Sequence, residues 1–313
     1  MPEPAGSIAA VVLAYGGVED ARPLVEGLAA MAALPPGHVI LVHNPSRPGE
    51  RAELDVEGVA VVNNDRNVGY AAGMNVGLRR AQALGVEAIL TVTHETRLDE
   101  DGLLALATAL RRDARLAAVG PVLRTPAGTV WSTGLVPADG GVRLTHRQAL
   151  PPAGATVPCA SVDGAAVLWR ATAVEELGGF DSRFFMYYEE IDLCARARDR
   201  GWGIAVLGGV EATTISGGTN RRVAHAYLTT RNSLAYARRR GRRFFLRWAC
   251  AVAWRFWTVT PKPGGSRFRD PAERAAARDF RLGARRGAVD YLRGRWGAPP
   301  PELLGDSDIA AAH

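Results

Sequence analysis

Short apolar runs alternate with amphipathic stretches over the first 125 residues. Ser7–Ala14 (SIAAVVLA) predicts a buried strand that turns at Tyr15-Gly16-Gly17. Residues 21–33 put Leu24, Val25, Leu28 and Met31 on one helical face, and Pro35-Pro36-Gly37 stops that helix. Val39–Val42 and Val59–Val62 predict two more strands, Gly73–Ala83 a helix and Ala88–Val92 a fourth strand. One further helix and strand fit 100–125, and the Gly-, Pro- and Thr-rich stretch 126–160 predicts hairpins or an excursion. Strands alternating with helices imply a parallel α/β sheet, whose ligands bind beyond the carboxyl ends of the strands. Those ends are Tyr15-Gly16, His43-Asn44, Asn63–Asn67 and Thr93–Thr96.

Composition narrows the class. The chain has 313 residues, 47% hydrophobic and 22% charged, a globular balance sufficient for one large domain with an appendage. Its three cysteines, Cys159, Cys194 and Cys250, are far apart, and there is no C-x-x-C, so neither a disulfide framework nor a zinc knuckle is indicated. The opening MPEPAGSIAAVVLAY lacks the positive charge of a secretion signal, and no run of 18 apolar residues predicts a membrane span. The expected location is cytoplasmic, with peripheral attachment to the inner face of the membrane as an extension of it.

Motif absence excludes several chemistries. AYGGVED follows the first strand where a dinucleotide fingerprint would read G-x-G-x-x-G. No G-x-x-x-x-G-K-[ST] and no G-x-S-x-G occurs, which disfavours a P-loop NTPase and an α/β-hydrolase.

The densest chemistry lies in SVDGAAVLWR (161–170) and GGFDSRFFMYYEEIDLCARARDRGW (178–202). Glu189, Glu190 and Asp192 follow Phe184, Phe185, Tyr187 and Tyr188. Aromatic neighbours desolvate a carboxylate and raise its pKa, which suits a general base. The bland alternative is a helix N-terminus whose acids complement the dipole. In NNDRNVGYAAGMNVG (63–77), Gly69 and Gly73 allow close backbone approach to a ligand, and Asn67 and Asn75 can orient ribose, phosphate or sugar. Loop glycines leading into a helix cap would read the same way. In LTVTHETRL (90–98), His94 and Glu95 stand where a strand opens into a loop.

Taken in order, the strand ending in AY, VHNPS, NNDRNVGYAAGMNVGL, LTVTHETRL, SVDGAAVLWR, GGFDSRFFMYYEEIDL and YLTTRN resemble the family 2 inverting glycosyltransferases of the GT-A fold, especially the rhamnosyltransferase-like branch. The resemblance covers roughly residues 7–235. It implies a Rossmann-like, mostly parallel sheet flanked by helices, a nucleotide-diphosphate sugar donor (UDP, dTDP or GDP type) in the N-terminal half, and an acceptor glycan, lipid-linked intermediate or small molecule. It assigns the catalytic base to Glu190, where the family usually has Asp, with Glu189 and Asp192 as deputies. The donor side would include Tyr15, His43, Asn44, Asn67, Gly69, Gly73, Asn75, Thr93, His94 and Arg231. The acceptor side would include Asp163, Gly164 and Tyr188. Glu95 takes the place of the family's metal-binding Asp, so the resemblance implies a divalent cation, Mg²⁺ or Mn²⁺, held mainly by Glu95 and with His94 as a substitute nitrogen ligand. Three departures bear on that site: His43 stands for a base-reading Asp, Glu95 for Asp, and no His occurs near Thr214. The alternative to a held cation is metal-independent catalysis, with Arg97 or Arg231 carrying the phosphate charge.

Charge separates the C-terminal part. Residues 221–300 hold 20 Arg or Lys against 4 Asp or Glu, while the remainder holds 18 against 28. Together with the tryptophans and phenylalanines of RRRGRRFFLRWACAVAWRFW (238–257), this suits an anionic membrane surface. A helix docked through its aromatics would look the same, and no nucleic-acid module surrounds the patch. The expected organisation is a GT-A domain over 1–235, divided near 125 into nucleotide-sugar and acceptor halves, and a basic aromatic helical extension over 236–313. A non-catalytic sugar-nucleotide-binding homologue, or a membrane- or polyanion-binding protein on the same scaffold, are the alternatives to an enzyme.

Overall fold

A computed structural model of the chain describes residues 7–138, 143–214, 222–258 and 271–303. The break that Pro261–Pro271 predicts lies outside the described residues up to residue 270, as does the frayed tail expected of PPPELLGDSDIAAAH beyond residue 303, and so does the segment that follows Thr214.

The described residues fall into two compact units. The first gathers those of Met1–Ala138, Leu144–Ser182 and Glu189–Gly217. Its elements run β1 (Ile8–Tyr15), α1 (Arg22–Ala29), β2 (Val39–Asn44), β3 (Val59–Asn63), α2 (Gly69–Gln82), β4 (Ala88–Val92), β5 (Thr96–Arg97), α3 (Glu100–Arg112) and β6 (Leu116–Arg124). Then come β7 (Val130–Ser132), β8 (Leu135–Ala138), β9 (Arg143–His146), β10 (Thr156–Pro158), β11 (Ala166–Arg170), α4 (Ala171–Leu177), α5 (Glu189–Asp199) and β12 (Gly203–Thr214).

The main sheet has the order β10-β12-β6-β11-β4-β1-β2-β3. β1, β2, β3 and β4 are mutually parallel, as are β6 and β12, while β11 runs antiparallel between β4 and β6. The result is a mostly parallel α/β sheet flanked by helices, the GT-A architecture expected from the sequence. β2 is buried at all six positions, which explains its unbroken apolar run: a parallel strand covered on both faces needs no polar side. Side chains alternate across β1. Ile8, Ala10 and Val12 join Leu24, Val25, Leu28, Leu103 and Leu106 on one face. Ala9 and Val11 join Met74, Leu78, Val174 and Leu193 on the other.

Helix α2 starts at Gly69, a full turn before the predicted Gly73. Gly69 has φ +83, and the Asn67 side chain receives its N–H at 2.9 Å, so the turn is set by local polar geometry rather than by apolar spacing. Gly73 is a packing position: a β-carbon there would stand 2.7 Å from Leu13 Cδ1 and 3.2 Å from Asn44 Nδ2. The ligand approach expected at Gly73 is therefore taken by the protein's own sheet.

The second unit gathers the described residues of Asp139–Arg143, Arg183–Tyr188 and Gly218–His313. It is built from α6 (Arg222–Arg239), α7 (Arg242–Thr258) and α8 (Pro271–Leu292). Among the described residues, no helix is long and apolar enough to cross a membrane.

Candidate active site

At the carboxyl end of β2, His43 is fully buried. Its Nδ1 lies 2.9 Å from Asn63 Oδ1 and its Nε2 lies 2.9 Å from the Gly16 carbonyl. The Asn63 amide is oriented by Ala52, whose N–H donates to Oδ1 at 2.7 Å. The ring is buried and both its edges are engaged by the chain, which corrects the expectation that His43 stacks on a base or hydrogen-bonds it. Asn44, also buried, donates to the Gly69 carbonyl at 3.0 Å and accepts from Asn64 Nδ2 at 2.9 Å. Asn75 grips the backbone of Phe180 with both ends of its amide, at 2.8 and 2.9 Å. Its orienting role is thus spent on the GGF turn rather than on a sugar. Tyr15 and Asn67 remain at the rim, Tyr15 half-buried and Asn67 exposed.

Beyond β4 a chain of hydroxyls organises the THET loop. Thr93 Oγ1 and Thr96 Oγ1 are 2.9 Å apart, and Thr96 Oγ1 donates to Thr214 Oγ1 at 2.9 Å. Thr214, standing near the position where the resemblance implies a metal-binding His, is buried and engaged in this chain. His94 Nε2 approaches Glu95 Oε1 at 3.8 Å, both side chains partly exposed. Arg97, exposed, uses one guanidinium nitrogen to hold the carbonyls of His94 and Thr96, at 2.7 and 3.0 Å. Among the described residues no group of three or more His, Cys, Asp or Glu could hold a metal alone. Glu95 offers one carboxylate, so a hard cation, which takes oxygen ligands, would need its remaining ligands from outside the chain.

The Thr93 N–H donates to the Ala165 carbonyl at 3.0 Å, which brings the THET loop beside the Asp163-Gly164 turn. A β-carbon on Gly164 would lie 3.7 to 4.0 Å from Cγ, Cδ and Cβ of Glu190, so the turn rests on that side chain. Burial, less the relief from backbone N–H groups and with the Asp163 charge added, pushes the Glu190 carboxyl up to about 7. Glu189 is buried and its Oε2 has no hydrogen-bond partner. Burial, with Glu190 beside it, holds its pKa well above the carboxylate range. Tyr70, on α2, is raised by burial and by the charges of Glu189, Glu190 and Asp163, so its hydroxyl stays neutral among three acids.

Asp192 is set apart from this group. It is buried and bound by Arg196 at 2.7 Å, and Arg196 also donates to the carbonyls of Leu177 and Gly179 at the end of α4. This corrects the expectation of Asp192 as a deputy base: its charge is committed to an ion pair with Arg196 that fastens α5 to α4.

Two expected site residues lie in the second unit. Arg231 is fully buried, donating to Asn232 Oδ1, Tyr227 Oη and the carbonyls of Gly297 and Phe184. Its guanidinium is a structural tie rather than a phosphate contact. Tyr188, half-buried, has φ +75 and stands 5.9 Å from the Tyr236 ring.

Sequence reasoning passed over Tyr70, although it lies within the quoted NNDRNVGYAAGMNVG segment. It also passed over Trp131 and His146, which sit in the excursion where no periodicity or motif marks them.

Comparison with known proteins agrees with this architecture. Residues 4–250 match the family described as "Glycosyltransferase like family 2". The low-salt glycan biosynthesis hexosyltransferase Agl10 of Haloferax volcanii is 24% identical over 201 residues, covering 60% of each chain. The N-acetylglucosaminyl-diphospho-decaprenol L-rhamnosyltransferase of Mycobacterium tuberculosis is 26% identical over 200 residues, covering 55% of this chain and 64% of its own. The matched region thus spans about three fifths of the length of these relatives. Among solved structures, GalNAc-T7 with UDP, GalNAc and Mn²⁺ superposes with a TM-score of 0.63 at 12% identity, over 95% of this chain and 59% of that one. The mannosyltransferase PcManGT of Pyrobaculum calidifontis, in complex with GDP-Man and Mn²⁺, gives 0.54 at 15% identity, over 93% and 88%. At such identities the likeness carries the fold, and the family match carries the membership: this chain belongs to the family 2-like glycosyltransferases.

Proposed function

We propose that the chain is an inverting glycosyltransferase that moves a sugar from a nucleotide-diphosphate donor of UDP, dTDP or GDP type to an acceptor hydroxyl. The observation that carries this reading is Glu190: a half-buried carboxylate pushed up to about 7, in a cluster with Asp163, Glu189 and Tyr70 beside the donor end of the sheet. A base with a pKa near working pH is present in its ionised form and still holds a proton well, which general base catalysis requires. Glu190 takes the proton from the acceptor oxygen as that oxygen attacks the anomeric carbon, and the nucleotide diphosphate departs from the opposite face. Glu189, kept protonated by burial, leaves Glu190 as the ionised member of the pair. Glu95 with His94 would hold a divalent cation, which when bound supplies charge compensation to the leaving diphosphate. Tyr15, Asn67 and Thr93 line the donor side, and Asp163 and Gly164 the acceptor side.

The relatives' names, a hexosyltransferase and a rhamnosyltransferase acting on a diphospho-decaprenol, support a glycan or lipid-linked acceptor. A lipid-linked acceptor also gives meaning to α7. Leu246 and Trp254 are 53% and 65% exposed on a helix that carries Arg242, Arg243 and Arg247 at its surface. We assign that face to an anionic membrane surface, rings at headgroup depth and guanidinium groups on phosphate.

A thermal-shift screen with UDP-, dTDP- and GDP-sugars, each with and without Mn²⁺, tests the reading, because a ligand that binds the native state raises stability by mass action. A donor that raises Tm and is then turned over by the wild type but not by Glu190→Gln supports it. No shift with any nucleotide sugar would remove it.

A further inference from the structure

Asp163 is held from two sides and approached from a third. Trp131 Nε1, from β7, donates to Asp163 Oδ2 at 3.1 Å, and the Ala165 N–H donates to Oδ1 at 3.0 Å. His146, the last residue of β9, presents Nδ1 to Oδ2 at 3.7 Å, and its ring lies on Trp131 with centroids 4.9 Å apart. That nitrogen is buried and has no hydrogen-bond partner. The gap is too long for a hydrogen bond, and catalytic hydrogen bonds are often long before substrate binds and tighten when it does. On the other side of Asp163, the next residue, Gly164, rests on Glu190. Asp163 is 20% exposed and His146 34%, so the series Glu190, Asp163, His146 leads outward to solvent.

Transfer of a sugar to a hydroxyl makes one glycosidic bond, breaks the bond to the diphosphate and leaves one proton on the base. That proton must leave Glu190 before the next turnover. We propose that His146 is a proton-relay residue of this site, taking the proton from Glu190 through the Asp163 carboxyl at Nδ1 and releasing one from Nε2 to water. Only protons move, and the imidazole ends each cycle in its starting charge state after tautomer exchange. Trp131 is a positioning residue that holds Asp163 Oδ2, the oxygen that faces His146. Among the described residues, the titratable or charged groups around the cluster include Tyr70 from α2, Glu189, Cys194 and Arg198 from α5, and Arg147, whose guanidinium is spent on Thr133 and the Pro158 carbonyl. The inference rests on Glu190 being the base.

His146→Gln and His146→Ala in the full chain separate relay from scaffold. The assay is nucleotide-diphosphate release from the sugar nucleotide selected by thermal shift, with water as acceptor, at low buffer concentration. Turnover should fall by up to about 10²-fold with KM for the donor unchanged, and added imidazole should restore His146→Ala. Wild-type turnover in both variants, or a loss that imidazole leaves untouched and that tracks a lower Tm, overturns the relay. If Glu190→Gln also turns over normally, the base assignment itself falls, and the relay with it.

Discussion

Gly164 and Glu190 are in side-by-side contact: a β-carbon at residue 164 would stand 3.7 Å from Glu190 Cγ and 3.8 Å from its Cδ. That spacing is ordinary van der Waals contact, and Gly164 has no left-handed backbone to strain. Gly164→Ala should therefore fold, with stability unchanged or raised by about 0.4–1 kcal/mol through the unfolded chain. It restricts the base and the space beside it, so turnover should drop by roughly 10- to 10²-fold, the scale of a misplaced reacting group. Thermal melting and donor turnover on one preparation check this, and unchanged turnover would detach the turn from the reaction.

Glu190→Gln removes the proposed base while keeping its shape. Turnover should fall by roughly 10²–10⁴-fold with donor affinity nearly unchanged. In the wild type, the rate should rise with pH through about 7 and level off, since the base works when ionised. Stability runs the other way. The folded pKa lies above the unfolded value, so the Glu190 contribution is fully present below about 4.5 and is lost as pH rises through about 7. The glutamine variant should then melt higher than the wild type at pH 8 and not at pH 4. Melting curves at the two pH values read this directly, and a variant less stable at both would contradict the buried-charge argument.

If Glu95 and His94 share a cation with the donor diphosphate, cation and nucleotide must tighten each other by the same factor. Glu95→Ala should reduce that coupling more than it reduces binding of the metal-free nucleotide. His94→Ala should lower the preference for Mn²⁺ if its imidazole is a ligand. Calorimetric titration of the nucleotide with Mn²⁺ and with chelator decides the matter. Equal affinity in both, with full turnover in chelator, would leave backbone N–H groups or Arg97 to meet the leaving charge.

Vesicle binding tests the exposed face of α7. The chain should co-sediment with anionic vesicles at low salt and release at high salt, because surface attraction is screened. Replacing both Leu246 and Trp254 with Ser should weaken that binding without lowering Tm, since both are already 53% and 65% exposed. Binding only to neutral vesicles, or to none, would return the arginines to a solvated face.

The parts of the site legible in the sequence were those marked by strand ends and by unusual local composition. The apolar runs ending at Tyr15, Asn44 and Val92 marked the carboxyl edge of the parallel strands, because a buried parallel strand has no polar alternation to blur its ends. The acid cluster was legible as chemistry, but its division of labour was not. Asp192 differs from Glu190 through Arg196, which is one helical turn onward and also binds α4, a tertiary fact that spacing alone does not carry. His43 and Asn44 read as ligand contacts because they stand at the end of β2, and Asn75 because it follows a glycine-rich turn. Here their partners are groups of the chain itself distant in sequence: Asn63 and Gly16 for His43, Gly69 and Asn64 for Asn44, and Phe180 for Asn75. Trp131 and His146 meet only because the excursion folds back on Asp163, and no periodic signal precedes that return.

The aromatic stretch before the acids gives the last prediction. Phe185, Tyr187 and Tyr188 all have positive φ, at 64, 69 and 75, a conformation that bulky side chains seldom adopt. Asn232 holds the turn: its Nδ2 donates to the carbonyls of Phe184, Met186 and Tyr187 at 2.8, 2.8 and 2.9 Å. Two N–H groups thus serve three acceptors, and Arg231 adds a second donor to Phe184 at 3.2 Å. Asn232→Ala leaves buried carbonyls without their donor and should cost about 2–4 kcal/mol. Asn232→Asp is nearly isosteric but sets a carboxylate oxygen against those carbonyls, so it should be worse than Ala. Thermal denaturation ranks the three proteins. An aspartate variant as stable as the wild type would mean that the strained turn is held by packing of its rings and not by the amide.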